Sequence, residues 1–367
     1  MSQQETESEG HDNTLDTSEE ENSKRRWAMR FLGESRTPFI VTILFLLMAV
    51  FVSRMLSRQG DSNSKAPRGS ATKRLADFSE KKKISGERKY EASGAAAVPN
   101  TNGILFVDDS KGGHVFFMPV SQLGEQDGLV VDIPLGVSVK NPEGITQFGS
   151  HFIVMGSLAT VESNDSGGIA TFDFEPVTQA VSNAVALTGM RKFLFDNVPE
   201  LKPWADKTSA EGGLNIEGIA VDPDPGNPRV LLGLRGPLLN RNALVVPLKL
   251  RDRQAPLTID NLAIDEPSAI QLNLNGQAIR DIQYDNRLKA FLIISGAAET
   301  EEKTDFTLWI WSGEADQTRP EARPQEQTKI DKKMKPEGVA ALKINNREFV
   351  FLVGDANTYA KIDYISR

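Results

Sequence analysis

From residue 93 onward, the hydrophobic and polar positions of the chain fall into one recurring frame. A short apolar run is followed by a polar turn, and a second apolar run follows the turn. The frame appears as SGAAAVPNTNGILFVDDS from Ser93, PEGITQFGSHFIVMGS from Pro142 and IEGIAVDPDPGNPRVLLGLRG from Ile216. It appears again as IRDIQYDNRLKAFLIISG from Ile279 and PEGVAALKINNREFVFLVGD from Pro336. Runs of four to six aliphatic or β-branched residues bounded by turn formers read as strands. Each unit adds a third strand-like run: HVFFMPV, IATFDFEP, ALVVPLKL, TLWIWSG or YAKIDYI. Aligned on the residue before the first run, the leading positions are Ser93, Glu143, Glu217, Arg280 and Glu337, spaced 50, 74, 63 and 57 apart.

Three strands plus a variable fourth, repeated in tandem, are the parts of a propeller blade. The first strand of a blade packs on both faces, which accounts for continuous rather than alternating apolar runs. The pattern therefore predicts an all-β fold, a β-propeller of five blades over residues 90–367. A degenerate sixth blade in the 74-residue interval is the alternative count. That interval contains VTQAVSNAVALTGMRKFLFDNVPEL, whose apolar spacing of three and four predicts a helix or lid between blades. The last unit has room for three strands only, so the segment ISGERKYEA ahead of Ser93 is expected to complete the ring and leave no free edge.

The region before residue 90 has a different character. Residues 1–36 form a polar tail in which Glu5, Glu7, Glu9, Asp12, Asp16 and three consecutive glutamates precede any Lys or Arg. Such a tail is too polar to bury a core, and it predicts disorder. Residues 37–53, TPFIVTILFLLMAVFVS, carry no charge and are bracketed by Arg36 and Arg54. Their length is at the short end for a single transmembrane helix, and the run predicts a bilayer anchor. Residues 54–89 have the composition of a flexible linker. A large domain after one N-terminal anchor favours placing the propeller on the periplasmic or extracellular side.

Composition narrows the chemistry. The chain has no cysteine, which removes disulfides, thiolate zinc sites and a Cys nucleophile. Its three histidines, His11, His114 and His151, lie in the acidic tail or beside turn-like glycines, leaving few bases for Ser–His–Asp chemistry. The formal net charge is −8. The N-terminal 92 residues are close to neutral, so the propeller region is the acidic part, and nucleic acid is not the expected partner. No phosphate-binding glycine loop, dinucleotide fingerprint or HExxH occurs. DPDPG at Asp222–Gly226 reads as a hairpin turn.

The strings IEGIAVDP, VLLGLRGP, IRDIQYD and PEGVAAL, with SGAAAV and FVDDS ahead of them, resemble a bacterial family catalogued as domain of unknown function 3616. The resemblance spans roughly residues 90–366 and implies a β-propeller with no established activity.

In a propeller the first strands of the blades line a central channel, so equivalent repeat positions converge at one mouth. This places Glu143, Glu217, Glu337, Arg280 and Asp281 together. Asn215 and, from the ends of the second strands, Asp109, Arg235 and Asp355 join them. Converging carboxylates need an arginine or a cation. They either pair with Arg235 and Arg280 to hold the blades together, or Glu143, Glu217 and Glu337 bind calcium or a similar hard ion. The two arginines are also candidates to fork an anion. The functional expectation is a membrane-tethered binding or interaction module taking an unknown small molecule or protein at the channel mouth. The alternative is a cation-dependent hydrolase of phosphoesters or lactones.

Overall fold

The computed structural model describes residues 74–365 apart from 79, 149, 162–167, 225, 227, 254, 299–304 and 317–320. The expected tail, the run 37–53 and residues 54–73 of the expected linker lie outside the described residues. Among the described residues no helix is long and apolar enough to cross a membrane.

The chain forms a five-bladed β-propeller. Blade 1 has strands Ala92–Ala97, Gly103–Asp108, His114–Pro119 and Val131–Pro134 in that order from the hub outward. Blade 2 has Pro142–Phe148, His151–Gly156, Ile169–Glu175 and Ala180–Leu187. Blade 3 has Asn215–Asp222, Arg229–Gly236, Ala243–Leu250 and a divided outer strand, Leu262–Ile264 and Ile270–Leu272. Blade 4 has Ala278–Asp285, Ala290–Gly296, Phe306–Trp311 and Gln325–Ile330. Blade 5 has Pro336–Ile344, Arg347–Gly354 and Thr358–Ile365. All pairings within blades are antiparallel, as tight turns require.

Blade 5 is completed from the other end of the chain, as the strand count demands, but from further upstream than expected. Arg74–Leu75 and Lys82–Lys83 both pair with Thr358–Ile365, Arg74 opposite Ile365 and Lys82 opposite Tyr359. The ring therefore begins before residue 90, inside the segment expected as linker. ISGERKYEA bridges blades 5 and 1 instead. Its Ile84 and Tyr90 are buried, and Tyr90 sets its ring edge-on to Phe106 and Phe116, 5.5 and 5.4 Å away.

Among its described residues the long interval holds no sixth blade. Its first part is the outer strand Ala180–Leu187, and only Met190–Asn197 is helical, followed by two 3-10 turns before Asn215. The helical spacing misleads because Ala180–Leu187 is an edge strand. It packs on one side, and a register shift between Ser182 and Val185 breaks its alternation.

Each interface between neighbouring blades has its own apolar core. Phe106, Phe116, Phe349 and Phe351 join blades 1 and 5, and Phe152 and Phe172 meet Leu105 and Val107 between blades 2 and 1. Ile279, Ile282, Phe291 and Trp311 seat blade 4 on blade 3. No blade buries both faces alone, so the cores exist only in the closed ring.

A β-bulge recurs at the same point of all five inner strands. The ladder skips one residue between Ser93 and Ala95, Pro142 and Gly144, Ile216 and Gly218, Ile279 and Asp281, and Pro336 and Gly338. The repeat position is therefore Gly94, Glu143, Glu217, Arg280 and Glu337. Blade 1 contributes Gly94, not Ser93. Gly94 has φ +38°, and a Cβ there would lie 2.6 Å from the Glu143 carbonyl oxygen, so this approach of two inner strands admits only glycine.

One residue past the bulge stand Ala95, Gly144, Gly218, Asp281 and Gly338, and three past it Ala97, Thr146, Ala220, Gln283 and Ala340. Four blades are small at these two levels, and blade 4 fills the hub for all. The Asp281 carboxylate accepts the Val339 N–H of blade 5 at 2.7 Å and the Ile282 N–H at 2.8 Å. It also accepts the Ala95 N–H of blade 1. Burial pushes its pKa well above the usual carboxylate range, and these three donors pull it back. Gln283 donates to the carbonyls of Ile145 at 2.6 Å and Ile219 at 3.1 Å, in blades 2 and 3, and accepts from Thr146 at 3.3 Å. The two side chains together tie blade 4 to the other four.

Asp281→Ala leaves several buried N–H groups without an acceptor and is expected to cost about 3 kcal/mol in denaturant unfolding. Gln283→Ala, which strands carbonyls that water reaches, is expected to cost about 1 kcal/mol. A chain begun at residue 90 exposes the edge of Thr358–Ile365, whereas one begun at residue 74 does not. The shorter chain should melt lower and aggregate, read by thermal unfolding with light scattering.

Candidate functional site

The bulges have a chemical consequence. A bulged residue is released from the ladder, and its side chain turns toward the mouth where the inner strands begin. Glu143, Glu217, Arg280 and Glu337 project there, and the ends of the second strands bring Asp109, Arg235 and Asp355 to the same place. Asn215 lies one turn of the pleat before Glu217. The structure thus brings together the residues that the repeat spacing groups. Asp281 is the exception: it is fully buried below the mouth, in the hub, and binds backbone.

Glu217 sits at the centre. Its Oε1 receives Arg235 Nη1 at 2.7 Å and its Oε2 receives Arg280 Nη1 at 2.9 Å. Asn215 Nδ2 adds a third donor at 3.2 Å. Arg280 extends the chain to Glu337, 3.3 Å away, and donates Nη2 to the Ala297 carbonyl. Arg235 donates Nε to the Ala298 carbonyl at 3.1 Å. Burial works against the Arg280 charge, but Glu217 and Glu337 hold its pKa above the ordinary arginine value. Both guanidinia are thus engaged by protein groups, Arg235 by Glu217 and the Ala298 carbonyl and Arg280 by Glu217, Glu337 and the Ala297 carbonyl. Arginine, not a metal ion, neutralises Glu217, and with its two oxygens engaged the set Glu143, Glu217 and Glu337 does not fit calcium, which takes six to eight oxygen ligands.

Glu143 differs from its repeat partners. Among the described residues it makes no hydrogen bond or ion pair. Burial, then the carboxylates of Glu217 and Glu337, push its pKa well above the ordinary value. Glu337 is pushed up to about 8 by burial, with Arg280 opposing and Glu217 reinforcing the shift. Two buried polar atoms beside them, Arg280 Nε and Asn215 Oδ1, lack a hydrogen-bond partner.

The rim continues into blade 1. Among the described residues, the acids whose oxygens gather within 4.8 Å of one another are Glu91, Asp108 and Asp109. Asp108 is fully buried and ion-paired to Arg88, which stacks over the rings of Tyr90 and Phe116. Burial and the adjacent Glu91 carboxylate push the Asp109 pKa up to about 6. Asp355 is held by Lys335 at 2.6 Å. Sequence reasoning misses Glu91, Arg88 and Lys335, because each precedes an inner strand in a linker whose path the strand pattern does not give. His114 and His151 pair with Asp132 and Asp173 on the blades.

Comparison with known proteins gives a family and a fold. No curated protein sequence matches the chain. Among solved structures it is similar to the Myxococcus xanthus glutaminyl cyclase, with 10% identity over 80% of this chain and 98% of that one, TM-score 0.41. It is also similar to the PQQ domain of a pyranose dehydrogenase from Coprinopsis cinerea, with 10% identity over 82% and 98%, TM-score 0.44. A third is the soluble aldose sugar dehydrogenase of Escherichia coli, with 11% identity over 78% and 99%, TM-score 0.41. These likenesses are too distant to carry an activity across. The family model described as "Protein of unknown function (DUF3616)" matches residues 179–362, from the outer strand of blade 2 to the end of blade 5 and half of the whole chain. The expected resemblance is thereby met: the chain belongs to this family.

Proposed function

We propose that the protein is a ligand-binding module whose site is the charged mouth of the hub, built around Glu143. One observation carries the reading. Every other charged group of the inner ring is bonded to a partner, whereas Glu143 stands beside them with no bond of its own and with its ionisation suppressed. A purely structural acid at a repeat position would be capped or paired, as Glu217 is. A carboxyl kept partly buried and unbonded favours a ligand that supplies a positive or hydrogen-donating group. With Arg235 and Arg280 already engaged and Glu91 and Asp109 on the rim, the free capacity of the mouth is acidic.

A second reading, cation-dependent hydrolysis of a phosphoester or lactone, is favoured by the gathering of Glu91, Asp108 and Asp109, where the raised pKa of Asp109 is what an adjacent cation such as calcium would relieve. The propeller in this proposal is tethered to a lipid bilayer through residues 37–53 and faces the periplasmic or extracellular side. Its acidic charge disfavours nucleic acid.

Glu143→Gln removes the repulsion and is expected to raise the melting temperature of the full chain, by about 1 kcal/mol in unfolding free energy, as active-site acids commonly do when neutralised. A lower melting temperature would make Glu143 structural and sink the binding reading. A short diamine should stabilise the native chain and not the Glu143→Gln variant, whereas under the second reading calcium or manganese, added to the chelated protein, should stabilise both. Hydrolysis of a nitrophenyl phosphodiester or a lactone, appearing only with the metal, selects the second reading.

The raised pKa of Glu337 fixes a pH dependence. The folded state keeps a proton that the unfolded chain loses above about pH 4.5. Stability is therefore full below that value and falls as pH rises toward 8, at no more than about 1.4 kcal/mol per pH unit. Glu337→Gln should flatten this slope in melts taken from pH 5 to 8. Alkaline carbonate extraction of membranes, with protease access from either side, tests the tether and its orientation: release into the soluble fraction rejects it.

A further inference from the structure

The hub has a second end. Asp281 and Gln283 bridge the inner strands between the acidic mouth and the opposite face. On that face, where the inner strands finish, lies a cavity of about 270 Å³ that all five inner strands line. Its floor is Gln283 with Thr146, both more than nine-tenths buried, and much of its wall is Ala96, Ala97, Ala340 and Ala341.

We propose that this cavity is a second binding site, and that it takes an uncharged polyhydroxyl molecule of monosaccharide size. No Asp, Glu, Lys, Arg or His lines it, so an ionic ligand would lose its hydration without gaining a counter-charge. The wall is nevertheless polar. Inner strands carry a ladder on one edge only, and the other edge turns its peptide N–H and C=O groups toward the hub. One level down, Gln283 answers those groups, taking the carbonyls of Ile145 and Ile219. Above Gln283 the alanine side chains are too short to answer them or to cover them. Asn286, exposed, adds an amide at the rim. A wall of mixed donors and acceptors without charge is matched by hydroxyls, the small neutral groups that both donate and accept. At about 270 Å³ the cavity is just below the usual span of about 300–1,000 Å³ for ligand pockets, a size for one sugar-sized ring and not for a polymer. Built peptide walls of this kind are preformed, because the ring itself fixes them.

This site is independent of the acidic mouth, and either reading survives the failure of the other. The test is a titration of the full chain with glucose and mannitol, beside glucuronate and glucosamine, by calorimetry or thermal shift. Saturable binding of a neutral probe, at least tenfold tighter than of either charged analogue, is the expected result. Ala97→Leu fills the cavity and should abolish it. Asn286→Ala, an exposed change that keeps the fold, should weaken it about threefold or more. Absence of saturable binding by the neutral probes, equal binding of glucuronate, or binding that survives Ala97→Leu in a folded protein each overturns the proposal.

Discussion

Five inner strands must come close enough at the hub for the side chains of one of them to reach the backbone of the other four, and this close approach governs the rest of the molecule. At the level just past the bulge, glycine or alanine lets four strands meet. A Cβ on Gly218 would stand 2.9 Å from the backbone nitrogen of Ile282. The fifth strand sends in Asp281 and Gln283, whose polar ends serve peptide groups that no neighbouring strand can reach. A hub of five small residues would leave those groups bare, and a hub of five long ones would hold the strands apart. One polar blade among four small ones satisfies both demands. The interblade cores, the projection of Glu143 and Glu217, and the separation of the two ends all follow from it.

Much of this layout is visible in the chain itself. The five apolar pairs, their turns and the position before each first run, acidic in three of the five, give the blade count and the residues that meet at the mouth, because repetition in sequence becomes rotation in space. The acids are legible for the same reason, since Glu143, Glu217 and Glu337 occupy one repeat position. The alignment slips by one only at Ser93, where glycine takes the place that carries charge elsewhere. The bulge that makes Gly94 the true equivalent is a property of the ladder and leaves no mark in hydropathy.

Other parts are hidden for physical reasons. Arg74–Leu75 and Lys82–Lys83 are too short to show a period, and their lysines and arginines look like linker because outer strands face water. Ala180–Leu187 has an apolar spacing suited to a helix, but its neighbour Ile169–Glu175 supplies the hydrogen bonds that decide the matter. The exceptional role of IRDIQYD is also invisible in isolation. Asp281 reads as one more acid of the mouth and Gln283 as an ordinary polar residue of a strand, and only the convergence of the other four blades makes them the filling of the hub. The ion pairs of Glu217 show the opposite case, since the sequence offers arginine and metal as alternative partners and Glu217 is paired to Arg235 and Arg280.

The clasp that shuts the ring has a mechanical side. Arg74 lies opposite Ile365, so the chain enters and leaves the wheel at one spot on its outer edge. Tension drawn along the residues upstream of Arg74 falls first on the pairing of Arg74–Leu75, with the apolar contacts of Leu75, and then on the pairing at Lys82–Lys83. The wheel is thus fitted with a two-stage fuse: a strong pull lengthens the lead by several residues while the hub, the acids and both of its ends stay in register.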